Sequence, residues 1–258
     1  MATVLTPDLE QVLAFCAEDP VERVFIEEMA RRGGRFAAVA ENGTLSAVAY
    51  IGFNVVPSGR GCSAFAELVT RRSPRMIIGD ETAVTELWEA SQDALPEPRL
   101  DRPGQPVFVC ESDPGPGETG LRPARVADLD LLVPACAAAH EEELGSDPAA
   151  ADPSGFRRRT RMQIEEGRSW LWAEDGVILF KAEASAWTPR VVQLQQVWVD
   201  PQARGRGYGQ RGLRDLFRLL LAHVEAVCLF ARAENATAIH VYETIGMRRA
   251  GAYRSLLF

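Results

Sequence analysis

Val197-Trp198-Val199-Asp200-Pro201-Gln202-Ala203-Arg204-Gly205-Arg206-Gly207-Tyr208-Gly209 is the most informative stretch of the chain. From Val191 to Val199, apolar residues alternate around Val192, Leu194 and Val197, which predicts a strand. Asp200-Pro201 ends it, and a turn with glycine at 205, 207 and 209 follows. Leu213, Leu216, Phe217, Leu220, Leu221 and Val224 then recur at helical spacing, so an amphipathic helix begins at about Gly209. Glycines let a backbone approach a ligand closely, and the free N–H groups at a helix start favour an anion. Arg204 and Arg206 add positive charge where phosphates would lie. The turn therefore suits a pyrophosphate. A Walker loop is excluded, because it ends Gly-Lys-Ser/Thr and the only lysine is Lys181. The dinucleotide fingerprint G-x-G-x-x-G is not met either, since these glycines are spaced G-x-G-x-G. Taken alone, the stretch also fits a plain glycine-rich connection between a strand and a helix.

Downstream, the pattern predicts a strand over Val227–Ala231, a helix over Ala236–Thr244 and one or two closing strands within Met247–Leu256. Upstream lie a short strand at Leu121–Ala124, a helix from Val126 to about Glu143, a polar loop at Gly145–Ser154 and a helix over Arg157–Glu166. A hairpin of Trp170–Ala173 and Val177–Glu183 turns at Glu174-Asp175-Gly176. Further back, Asp113-Pro114-Gly115-Pro116-Gly117 sustains neither helix nor central strand and reads as a linker. Before it come a helix at Pro20–Arg32 stopped by Gly33-Gly34, and a hairpin of Phe36–Ala40 and Leu45–Gly52 around Glu41-Asn42-Gly43. A helix at Ala64–Arg71, a strand at Met76–Gly79, a helix at Glu81–Ala94 and a last strand at Pro106–Cys110 complete that half. The expected organisation is an α/β (α+β) chain of two domains, 1–112 and 119–258, joined by linker 113–118. Both halves share the order hairpin, strand, helix, strand, helix.

Composition narrows the function classes. With 258 residues, 47% hydrophobic and 25% charged, the chain is of ordinary globular type. No apolar run approaches the ~18 residues of a membrane span, and no basic segment followed by an apolar one opens the chain, so a cytoplasmic protein without membrane partners is expected. The net charge of -8 divides into -9 over residues 1–118 and +1 over 119–258. An acidic first half with no basic stripe speaks against nucleic acid. Cys16, Cys62, Cys110, Cys136 and Cys228 form no C-x-x-C pair, which suggests reduced buried thiols. His140, His223 and His240 are scattered as well, so no metal is expected. A single lysine against 27 arginines reads as a GC-rich coding bias.

Two motifs, taken together, resemble the GCN5-related N-acetyltransferase (GNAT) family. Arg204 to Gly209 fits R/Q-x-x-G-x-G/A, and Asn235, Ala238, Tyr242, Glu243, Gly246 and Met247 fit N-x-x-A-x-x-x-Y-E-x-x-G-F with Met in the Phe position. The resemblance covers residues 119–258 and implies a GNAT fold, a mixed central sheet with flanking helices. It implies acetyl-CoA as acetyl donor, its pantetheine arm paired with the backbone of Val197 and Val199 and its pyrophosphate on the amides of Arg204, Gly205, Arg206, Gly207, Tyr208 and Gly209. Asn235 would sit beside the arm, and Tyr242 would present its hydroxyl to the thioester sulfur as general acid. The other reading of Tyr242 is a core aromatic. Many family members place a glutamate base on the fourth strand, where this chain has Gln195 flanked by Gln193 and Gln196, and glutamine accepts no proton at neutral pH. Glu183, on the preceding strand, is the nearest substitute, and Glu141 to Glu143 are also within the helix that would border the acceptor. Each of these also reads as a solvated surface glutamate. A water relay or an amine that arrives neutral would serve without any carboxylate. Arg157-Arg158-Arg159 with Arg161 reads as a solvated helix face, and Trp170, Trp172 and Trp187 as core or interface. Tyr253 reaches toward the acceptor from a closing strand in the least constrained of these assignments.

The first half resembles, more loosely, the uncharacterised domain that precedes some bacterial acetyltransferase domains. Asn54-Val55-Val56-Pro57, Ile77-Ile78-Gly79, Leu87-Trp88 and Arg102-Pro103-Gly104-Gln105-Pro106 carry that likeness. It implies a smaller, degenerate GNAT-like α/β domain, as in tandem enzymes of the mycothiol synthase type. Pro57-Ser58-Gly59-Arg60-Gly61-Cys62 lacks the R-x-x-G-x-G series, so this half is expected to wall the acceptor pocket or support a homodimer rather than bind coenzyme A. The resulting expectation is direct acetyl transfer to a primary amine of a small-molecule or peptide acceptor. The alternative is a catalytically weak acyl-CoA-binding or regulatory module.

Overall fold

Asn42 and Gly43 carry φ of +53° and +85°, and Asp175 and Gly176 carry +50° and +78°. Both pairs thus adopt the left-handed backbone that a tight primed hairpin demands, and two hairpins form where the turn chemistry points. The computed structural model describes residues 3–258. The first half contains β1 (Val4–Leu5), α1 (Leu9–Glu18), α2 (Val24–Arg31), β2 (Phe36–Glu41), β3 (Thr44–Ile51), β4 (Asn54–Gly59), α3 (Ala66–Thr70), β5 (Met76–Asp80), α4 (Glu81–Ser91) and β6 (Leu100–Cys110). The second contains β7 (Arg122–Pro123), α5 (Leu129–Leu144), α6 (Pro148–Ala151), α7 (Pro153–Glu165), β8 (Ser169–Glu174), β9 (Val177–Trp187), β10 (Val191–Val199), α8 (Tyr208–Leu221), β11 (Ala226–Phe230), α9 (Ala236–Thr244) and β12 (Arg248–Leu257). All twelve strands form one sheet, in the order β1-β2-β3-β4-β5-β12-β6-β11-β10-β9-β8-β7.

In that order the two halves exchange their closing strands. β6 pairs antiparallel with β11, Val107–Cys110 against Phe230–Val227. β12 lies between β5 and β6, with Leu256 opposite Ile77 on one side and Asp101 on the other. Leu256 is fully buried in the core of the first half, beside Ile77, Val84 and Leu87. Residues 100–105 of β6 were not legible as strand, because Pro103 and Gly104 disfavour it locally, and the segment is held by β12. Two further elements escaped the pattern. α1 begins on a reciprocal capping box between Asp8 and Gln11. β4 contains Pro57 and pairs with β5 only at Asn54 and Val55, so the proline lies where that flank is already free. The polar loop at 145–154 holds the single-turn helix α6.

The second half opens its sheet by the same device. β10 runs parallel to β11 only over Val191–Gln193, opposite Ala226–Cys228. Beyond it Gln196 takes φ +53°, and the register against β9 shifts between Gln195 and Trp198, a bulge that bends β10 away. α8 packs across the strands through Leu213, Leu216, Phe217 and Leu220, all within the core. At Gly212 a Cβ would lie 2.5 Å from the Phe180 ring, so helix and sheet meet at backbone distance. Residues 113–119 run along α8. Asp215 accepts from the Gly117 and Thr119 amides at 2.7 and 2.8 Å, and Arg211 donates to Gly117 O at 2.9 Å. Across the halves, Glu28 is buried and receives Arg32, Arg168 and the amide of Trp187. All five cysteines are free and buried.

Because β12 carries Leu256 into the first-half core and pairs with β6, which completes the second half of the sheet, Leu256→Ala is expected to cost about 2–5 kcal/mol and to lower both halves together. Urea unfolding followed by tryptophan fluorescence and by far-UV circular dichroism will show one transition, shifted as a whole. Two transitions with only one displaced would contradict the shared sheet.

Candidate acyl-transfer site

The glycine turn ends on an open helix start. Gly205 and Gly207 have φ of +75° and +80°, and a Cβ on either would meet nothing within 4 Å. Glycine is required there for its backbone angle and not for space. Gly207 is the N-cap of α8 and offers no side-chain cap, which leaves the first amides of the helix without a side-chain acceptor. Tyr208 anchors the helix through its ring, 4.9 Å from that of Trp172. Arg206 is exposed and makes no ion pair among the described residues. Arg204 is not free: its Nη2 donates to both oxygens of Glu142 at 2.8 and 2.7 Å, and its Nε to Val199 O at 3.1 Å. In the first half, the corresponding turn is closed by the chain itself. The amides of Gly61 and Cys62 both donate to Glu86 Oε2 at 2.9 Å, so a carboxylate fills the anion position.

From the gap between β10 and β11 a cavity of about 620 Å³ reaches into the first half. Val197, Asn235, Glu183 and Tyr242 line it, with Gln193 and Gln195; Phe25, Asn54, Met76 and Arg102 line it from the other half. Val199 and Arg204–Gly209 lie outside its walls, at the end of β10 and beyond. Past Gln193 the β11-facing edge of β10 has no strand partner, which leaves Val197 and Val199 on a free edge. Asn235 caps α9, its Oδ1 accepting from Ala238 N at 3.1 Å. Tyr242 stands between the core and the cavity. Its ring packs on Phe108 with centroids 5.4 Å apart, and the residue also borders the cavity. Burial and the nearby Glu143 carboxylate push its phenol well above the ordinary range, so it stays protonated at neutral pH. Tyr253 also lines the cavity, and its hydroxyl donates to Glu22 O at 2.7 Å, which ties β12 to the first half.

Two of the carboxylates that line the cavity, Glu183 and Glu143, differ in kind. Glu183 Oε1 takes the Lys181 ammonium at 2.7 Å and Cys136 Sγ at 3.1 Å, and Lys181 is completely buried. Burial would raise the Glu183 pKa, but the Lys181 charge outweighs it and holds the carboxyl below the usual range. Burial likewise opposes the Lys181 ammonium, and Glu183 and Cys136 keep it above its ordinary value. Glu183 is therefore a fixed anion with little basicity. Glu143, at the end of α5, is pushed upward by burial against the opposing pull of Arg232 and Arg102. Arg102 orients it, with Nη1 on Oε1 at 2.8 Å and Nη2 on the backbone oxygen at 2.7 Å. Lys181 and Arg102 were missed by sequence reasoning. A lone lysine within an apolar strand, two residues before a glutamate and so on the same face, is the signal that marks the first.

The comparisons agree with this architecture. Residues 136–247 match the family model described as Acetyltransferase (GNAT) family, and residues 34–132 match a Domain of unknown function (DUF4081). The second half of the chain therefore carries a GNAT-family acetyltransferase domain, preceded by a DUF4081 domain. A curated relative, the mycothiol acetyltransferase of Cellulomonas flavigena, is 31% identical over 183 residues, which are 64% of this chain and 48% of the relative. The chain thus spans about half the length of that protein. An acetyltransferase from the GNAT family of Colwellia psychrerythraea superposes with a TM-score of 0.61 at 12% identity, covering 99% of both chains. A tandem GNAT protein from the clavulanic acid biosynthesis pathway superposes at 0.58 with 12% identity, covering 100% of this chain and 98% of that one. At these identities the likeness shows the fold, a GNAT fold running through the whole chain.

Lys181→Met leaves Glu183 buried and unpaired, with an expected loss of about 3–5 kcal/mol at pH 7.5. With its partner, Glu183 has a depressed pKa, so its contribution exists above the unfolded value and fades as pH falls. Without it, burial raises the pKa, and protonation relieves the variant as pH drops toward ~5. Denaturation midpoints of both proteins at the two pH values will show the gap narrowing on acidification. An equal gap at both would rule out the charge as its origin.

Proposed function

We propose that the chain moves the acetyl group of acetyl-CoA directly to a primary amine of a small-molecule or peptide acceptor. The observation that carries this is one continuous path: an uncapped helix start with two left-handed glycines, a free strand edge, and a cavity bordered by a phenol and a raised carboxylate. When bound, acetyl-CoA supplies an activated acetyl thioester. Amides from Gly205 to Gly209 and the positive end of α8 hold its phosphates, with Arg206 adding charge. Val197 and Val199 offer backbone groups to the pantetheine arm, as an added strand would use them, and Asn235 stands where the arm ends.

Tyr242 donates a hydrogen bond toward the sulfur that leaves as thiolate. Glu143, whose raised pKa brings it closer to working pH, takes the proton that the attacking ammonium must lose, directly or through a water. That role passes to Glu143 from Glu183, the sequence candidate, because Lys181 lowers the basicity of Glu183. The Glu183 anion instead braces the pocket wall through Lys181 and Cys136.

Glu143→Gln is expected to lower kcat by ~10²–10⁴ and to remove the rise of rate with pH, at unchanged coenzyme A affinity. Tyr242→Phe should slow turnover with similar cofactor affinity. Acceptor-dependent thiol release measured from pH 5.5 to 9 checks both, and full activity in Glu143→Gln would return the base to another group. Gly207→Glu places a like charge and a strained φ in the phosphate turn, and calorimetry should find no coenzyme A binding. Unchanged affinity would remove the pyrophosphate from this turn. Tight coenzyme A binding with no acceptor-dependent thiol release would leave a binding module instead of an enzyme.

A further inference from the structure

The cavity walls hold three carboxylates, Glu142, Glu143 and Glu183, and each is already engaged. Glu142 is bound by Arg204 through both oxygens and by Trp198 Nε1 at 3.2 Å. Glu143 is bound by Arg102 at 2.8 Å, and Glu183 by Lys181 at 2.7 Å. Two guanidiniums in the same walls, Arg232 and Arg159, are left over. The Nε of Arg232 is shielded from solvent and makes no hydrogen bond. Its nearest carboxylate oxygen is Glu143 Oε2 at 3.6 Å, and Glu234 lies 3.9 Å from its Nη1. Among the described residues the one carboxylate that Arg159 meets is Asp152, at 3.5 Å, and Asp152 is already the cap of α7; its guanidinium also lies 5.9 Å from the Phe156 ring centre. His140 offers the guanidiniums no anion, and burial and Arg159 lower its pKa, which disfavours a further positive charge there.

A simple amine would bring an ammonium beside Arg232 and leave its buried Nε without a hydrogen-bond partner. An amine that carries its own carboxylate supplies the missing anion, and a guanidinium fork matches a carboxylate in geometry as well as charge. We propose that the acceptor is a small amino-carboxylate, held by its carboxylate on Arg232 with Arg159 as the second guanidinium, and with its amine turned toward Glu143. This rests on the acetyl-transfer reading above and narrows its acceptor. It excludes polyamines, which bring only positive charge.

The test uses the full chain with acetyl-CoA and measures thiol release. The acceptors are glycine, alanine, leucine, methionine, phenylalanine, glutamate and β-alanine, each beside its primary amide, with spermidine as a further amine. The amides hold the less basic amines and so more free base at a given pH; without carboxylate recognition they would be the better acceptors. The expected result is a kcat/KM for the best acid roughly 100-fold above that of its amide, the worth of one charge-assisted contact. Arg232→Gln should cut that ratio to within about threefold, mainly through KM. Arg159→Gln, at an exposed position, should lower it by a smaller factor. Amides or spermidine turned over as fast as the acids, or a ratio unmoved in both variants, would overturn the proposal. Thiol release with no amine of any kind, while coenzyme A still binds, would instead overturn the acetyl-transfer reading on which it rests.

Discussion

The exchange of β6 and β12 is the constraint on which the rest of the molecule depends. Each half lends its last strand to the other: β6 completes the second half beside β11, and β12 completes the first beside β5. Two similar units on a flexible tether would each bury their own core and leave a cleft of variable width. Joined through one sheet, they meet with fixed geometry, so Arg102 of the first half reaches Glu143 of the second in a two-point contact. Glu28 and Tyr253 make further buried connections across the same seam. The cavity is therefore a product of both halves.

Within that frame the two halves differ at their glycine turns. Both carry a turn with left-handed glycines leading into a helical segment. In the first half Glu86 occupies the amides, whereas in the second the start of α8 stays uncapped. A helix start presents the same partial positive charge in either case, and what differs is whether the chain has already satisfied it. The acidic first half thereby loses an anion site and keeps a structural role. Charge at the cavity follows the same logic of satisfied and unsatisfied groups: Lys181 quiets Glu183, and Arg102 orients Glu143 while burial keeps it basic.

Much of this was legible in the sequence, and the limits of legibility have physical causes. The turn at 204–209, the strand at 191–199 and the helix at 236–244 follow from local pattern, since glycine angles, alternation and an Asn cap are local matters. Tyr242 and Glu183 were both expected at the site, and both border the cavity. What stayed hidden depends on contacts between residues distant in the chain. Residues 100–105 become a strand only because β12 pairs with them. Lys181 looked like a compositional accident because its burial against Cys136, 45 positions away, makes its pair with Glu183 a buried one. Glu142 and Glu143 are neighbours in sequence, yet one turns to Arg204 and the other to Arg102. A helix pattern cannot tell which neighbour will be desolvated, and desolvation decides which carboxylate is basic.

The central claim is that this chain has one coenzyme A site, in the second half, because only there are the turn amides free. Isothermal titration of the full chain with coenzyme A tests it most directly. One molecule bound per chain, with affinity that weakens as salt rises, is the result this account requires. A stoichiometry of two, or no binding at all, would contradict it.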